Sequence, residues 1–79
     1  MTNQRRSRLD VIAAILEAAL YGEKKTRIVY HANLNFKLIK KLLPILINKG
    51  LIEQAGNGYK TTEKGKAYLK HYKEIKELF

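Results

Sequence analysis

The chain has 79 residues, no Cys, two His, and sixteen Lys and Arg against seven Asp and Glu, giving a formal net charge of +9. A chain this short makes one domain and buries only about 60% of its unfolded surface; its 46% hydrophobic content is that of a globular protein. The lack of cysteine excludes disulfides and thiolate zinc sites, two isolated histidines do not form a metal site, and no apolar run approaches the roughly 20 residues needed to span a bilayer.

Arg5, Arg6 and Arg8 stand near the N-terminus without the apolar run and small-residue cleavage site of a secretory signal. The expectation is a soluble, cytoplasmic protein with no membrane partner and no cofactor. The excess of positive charge speaks to partners and not to fold, and the partner it fits is a polyanion.

In chain order, residues 1–6 form a basic arm and residues 7–22 hold the first helix. Ser7 and Asp10 have capping-box spacing. Leu9, Ile12, Leu16 and Ala19 then recur at helical spacing, with Ala13 and Leu20 widening the stripe. Gly22 supplies the stop, so the helix is expected from Arg8 to Tyr21.

Residues 26–49 read as a helix-turn-helix. Thr26 is expected to cap a short helix from Arg27 to His31, with Ile28 pointing inward. Asn33 tolerates the left-handed conformation that ends a helix, and Leu34 plugs the turn. Asn35 caps the next helix, Phe36 to Lys49, which Gly50 closes. At 100° per residue, Phe36, Ile39, Leu42, Leu43, Leu46 and Ile47 share an apolar arc. Lys37, Lys40, Lys41, Pro44 and Asn48 share the opposite one, and Leu38 and Ile45 imply that more than one face is buried. Pro44 inside the helix costs about 3 kcal/mol. Because the apolar arc stays in phase across it, a kinked helix is expected and not two helices.

Residues 50–61 read as a hairpin wing: Leu51 to Gln54 and Tyr59 to Thr61 flank a Gly/Asn cluster in which Asn57-Gly58 is the turn dipeptide. Thr62 caps a last helix over residues 62–79, roughly 17 helical residues or about 25 Å long. Tyr68, Tyr72, Ile75 and Phe79 lie on one narrow face of it. Burying the outer three against a second helix contributes about 1.5–3 kcal/mol per large side chain. Their spacing, close to 3.5, suits a coiled-coil seam.

The fold class is therefore mainly α with a small β-hairpin: a winged helix-turn-helix with a long C-terminal dimerisation helix. In that layout the second helix of the motif enters the major groove of duplex DNA. Lys24, Lys25, Arg27, Lys37, Lys40 and Lys41 lie in a stretch without any Asp or Glu, as phosphate neutralisation requires. Thr26, at a helix N-terminus, suits a phosphate. Asn35, Lys37, Lys40 and Lys41 are candidates for base contact, and the absence of Arg from that helix implies modest sequence selection. Asn57 at the wing tip and Lys60 are candidates for the adjacent groove or backbone, and Arg5, Arg6 and Arg8 for an N-terminal arm.

The run Lys25-Thr26-Arg27-Ile28-Val29-Tyr30-His31-Ala32-Asn33-Leu34, with Ser7-Arg8-Leu9-Asp10-Val11-Ile12 before it, resembles the archaeal winged-helix family of small basic chromatin proteins of the ten-a type. The resemblance covers nearly the whole chain. It implies duplex DNA binding, as a nucleoid-associated chromatin protein or a transcriptional regulator, and a homodimer formed by antiparallel pairing of the C-terminal helices. Pro44 and the shorter last helix depart from the family pattern. The alternatives are a winged-helix module that binds an acidic protein, and RNA binding, although no aromatic stacking platform is evident. No enzymatic role is expected: Asp10 is the only Asp, its job is capping, and no nucleophile–base pair stands out.

Overall fold

A computed structural model describes residues 7–78. Arg5, Arg6 and Phe79, among the expected contact residues, lie outside them. Four helices and one hairpin follow in the order α1 (Arg8–Ala18), α2 (Lys25–Ala32), α3 (Phe36–Asn48), β1 (Ile52–Ala55), β2 (Gly58–Thr61) and α4 (Glu63–Lys76).

The capping box forms as expected: Ser7 Oγ accepts from the Asp10 amide, and the Asp10 carboxylate accepts from the Ser7 amide. α1 ends at Ala18 and not at Tyr21, because the chain turns there toward Gly22, whose φ of 95° suits glycine. The end of α1 is held by Thr61 of β2. Its amide donates to Ala19 O at 3.0 Å, and its buried hydroxyl donates to Leu16 O at 2.7 Å. These bonds satisfy carbonyls that a helix C-terminus leaves without intrahelical partners.

α2 starts two residues earlier than Thr26 as cap predicts. Lys24 occupies the N-cap position, no side chain caps the helix, and Thr26 lies exposed in its first turn. The reason is an unexpected β-bridge. Glu23 pairs antiparallel with Tyr59, Glu23 N to Tyr59 O at 2.9 Å and Tyr59 N to Glu23 O at 2.8 Å. That bridge fixes extended backbone up to the helix start. Asn33 ends α2 at φ 56°, in the left-handed region, and Asn35 caps α3 by accepting from Leu38 N at 2.7 Å.

α3 runs unbroken through Pro44. It buries Ile39, Leu42, Leu43 and Leu46, but Phe36 is exposed, where the apolar arc predicted burial. Phe36 stands at the helix end, beyond the reach of the core that covers the middle turns. Leu38 and Ile47 are partly buried against the core, whereas Ile45 is exposed and opens no second buried face.

The hairpin pairs Ile52 with Thr61 and Ala55 with Gly58, so its two-residue turn is Gly56-Asn57 and not Asn57-Gly58. Gly56 has φ 59° and Asn57 is not in the positive-φ region, the pattern of a type II′ turn with glycine first. Gly58 sits in the strand because a Cβ there would fall 2.2 Å from Glu23 O. The bridge to Glu23 thus dictates this glycine.

Thr62 caps α4, accepting from Gly65 N and donating to Gly50 O. The helix stops at Lys76, short of the expected C-terminal limit. The core gathers Ile15 and Leu16 of α1, Ile28 of α2, the α3 residues above, Leu51, Ile52 of β1 and Leu69 of α4. Each fully buried Ile or Leu contributes about 1.5–3 kcal/mol.

Candidate nucleic-acid interface

The core takes one side of α3 and leaves Lys37, Lys40, Lys41, Pro44 and Asn48 exposed on the other. Pro44 therefore lies in the middle of the solvent face, where its missing N–H and its ring disturb the helix without opening the core. Beside that face, α2 presents Lys24, Thr26 and Arg27 exposed and Lys25 half-buried. Lys25, Lys40, Pro44, Asn48, Gln54 and Tyr59 line one shallow cleft between α2, α3 and the wing. The consecutive helices α2 and α3 thus meet the wing on one side of the molecule.

The electrostatics of this side differ from those of the rest. Lys24, Lys25, Lys37, Lys40 and Lys41 have no acidic partner among the described residues. Arg27 does have one, Glu23 at 3.8 Å, just before the acid-free stretch. On α4 four of the five lysines are engaged within the fold. Lys64 Nζ donates to Lys49 O at 2.8 Å, Lys66 pairs with Glu63, Lys73 with Glu17 and Lys76 with Asp10. Positive charge is spread along the whole chain, and Lys24, Lys25, Lys37, Lys40 and Lys41 gather five of its unpaired cations around α2 and α3, while Lys49, Lys60 and Lys70 also lack an acidic partner among the described residues.

The wing contributes less charge than expected. Asn57 and Lys60 are both exposed, but Glu53 is the cross-strand neighbour of Lys60. Arg8 is exposed on the first turn of α1, the turn that α4 binds. Asn48 and Gln54 had not been singled out as cleft-lining groups. Gln54 belongs to the wing and reaches the cleft only through the tertiary fold.

The aromatic stripe of α4 divides. The Tyr68 hydroxyl donates to Leu9 O at 3.4 Å and the Tyr72 hydroxyl to the Asp10 carboxylate, so both rings serve their own domain. Burial, reinforced by the negative Asp10, raises the Tyr68 pKa. Ile75 stays 56% exposed. With Leu9, Tyr68 and Tyr72 it lines a second, mainly apolar groove between α1 and α4.

His31 and His71 are exposed. Among the described residues no group of three or more His, Cys, Asp or Glu is placed to hold a metal ion, and no helix is long and apolar enough to cross a membrane.

Compared with known proteins, residues 5–79 match the model of the winged helix-turn-helix family. The chain belongs to that family. The winged helix is 40% identical over 76 residues to the uncharacterized protein MJ0287 of Methanocaldococcus jannaschii, covering 95% of this chain and 75% of that one. It is 32% identical over 75 residues to MJ0290 of the same organism, covering 94% of this chain and only 36% of that one. Among solved structures, it superimposes on Sso10a-2, a DNA-binding protein from Sulfolobus solfataricus, with a TM-score of 0.80 and 27% identity, over 92% of this chain and 81% of that one. The archaeal winged-helix resemblance carried by the Lys25–Leu34 run is met by this fold.

Proposed function

We propose that this winged helix binds duplex DNA, with residues 35–49 in the major groove and the wing on the adjacent groove or backbone. The observation that carries the reading is the solvent face of α3: Lys37, Lys40 and Lys41, exposed and without acidic partners, beside Lys24 and Lys25 of α2. Lysines left uncompensated next to one another repel. A phosphate backbone removes that repulsion and releases its counterions. The structural neighbour's description as a DNA-binding protein supports the same reading.

The role is that of a nucleoid-associated chromatin protein or a transcriptional regulator in the cytoplasm, without catalysis. Lysines without arginine in the recognition helix favour affinity over sequence choice. The protein acts as a homodimer, with a second copy covering the apolar groove lined by Leu9, Tyr68, Tyr72 and Ile75. The test of DNA binding is a titration of duplex DNA against salt with wild type and Lys37→Ala/Lys41→Ala. Tight wild-type binding that weakens steeply with salt supports the reading; salt-independent or absent binding removes it.

A further inference from the structure

Phe36 is an apolar residue of the α3 arc that the core leaves exposed. Its phase on α3 matches that of buried residues, and Ile39 and Leu43 of the same arc are 0% and 2% exposed, whereas Phe36 is 47% exposed. It is the first residue of α3, directly after the N-cap Asn35. In a helix-turn-helix that end of the recognition helix meets base edges.

The charged groups around it are all donors. The Asn35 oxygen accepts from Leu38 N at 2.7 Å, so one of its two lone pairs is committed to the cap. Lys37 and Lys40, both exposed, can only donate. The first turn therefore offers chiefly hydrogen-bond donors and one apolar ring, with no acid. In the major groove thymine presents an acceptor, O4, next to the groove's one apolar group, the C5-methyl. Cytosine presents an amino donor at the corresponding place and carries no methyl group.

We infer that Phe36 reads the thymine methyl group and gives an otherwise weakly selective lysine-rich helix a preference for thymine over cytosine. The inference rests on the DNA-binding reading. It is tested with two alternating duplexes of equal length and charge, one of adenine and thymine and one with deoxyuridine in place of thymine, which differ only in the methyl groups. The full chain is expected to bind the thymine duplex about fourfold more tightly for each methyl met, the value of one buried methyl-sized group. Phe36→Ala is expected to bind both duplexes equally and to keep the wild-type salt dependence, because the phosphate contacts are unchanged. Equal wild-type affinity for the two duplexes, or a preference that survives in Phe36→Ala, overturns the inference and leaves DNA binding intact. Failure to bind either duplex at low salt overturns both.

Discussion

The Tyr72 hydroxyl donates a hydrogen bond to the Asp10 carboxylate and so ties the second half of α4 to the first turn of α1. Asp10 also accepts from the Ser7 amide and hydroxyl, at 3.1 and 3.0 Å, and lies 3.5 Å from Lys76 Nζ. One carboxylate thus both caps a helix and docks another. The Tyr72 bond is the largest cause that holds its pKa well below the ordinary 3.8, followed by Ser7 and, more weakly, Lys76.

The sign of the pH dependence follows. A carboxylate with a depressed folded-state pKa stabilises the fold fully above its unfolded value, and that contribution is lost as pH falls toward the folded value. Tyr72→Phe removes the largest cause and moves the folded value back toward 3.8. The variant should melt at a lower temperature near neutral pH. The gap from wild type should close as pH falls between the two folded values. Thermal melts across an acid series would contradict this assignment if the gap were the same at every pH.

Pro44 gives a prediction of opposite direction. It lies inside α3 on the exposed side and donates no N–H to Lys40 O. Pro44→Ala restores that donor and relieves the ring's clash with the preceding turn, a cost of about 3 kcal/mol in a helix interior. The variant's greater unfolded-chain entropy returns up to about 1 kcal/mol of this. The expected net effect is a gain of about 2–3 kcal/mol in denaturant unfolding. A loss of stability would mean that Pro44 makes contacts the helix depends on.

Much of this architecture is legible in the sequence because its signals are local. Ser7, Asn33, Asn35 and Thr62 each mark a helix boundary through bonds to neighbouring residues. What was not legible is tertiary. The Glu23–Tyr59 bridge moved the start of α2 away from Thr26 and required glycine at position 58, and no periodicity reveals a bridge of one residue pair. Phe36 fits the phase of the core but stands beyond its edge, since helical phase carries no information about where neighbouring elements end. For the candidate interface, the acid-free stretch was visible. The pairing of Lys64, Lys66, Lys73 and Lys76 of α4 with Lys49 O, Glu63, Glu17 and Asp10 required the fold.

The proposed dimer turns on Ile75, whose neighbours Tyr68 and Tyr72 are engaged with α1 while it remains 56% exposed. Sedimentation of wild type should give a dimer, and Ile75→Asp should shift it to monomer by placing a charge in the apolar groove without touching the core. An identical mass distribution for both proteins would remove this face as the interface.

The proposed hold on DNA rests on the unpaired lysines of the α3 solvent face. It is tested most directly by the salt dependence of duplex binding for wild type and Lys37→Ala/Lys41→Ala. With each lysine neutralising one phosphate, the slope of log affinity against log salt should become shallower by about 1.8, at about 0.9 per phosphate on B-form DNA, with weaker binding at every salt concentration. Wild-type affinity and slope in the double variant would contradict it.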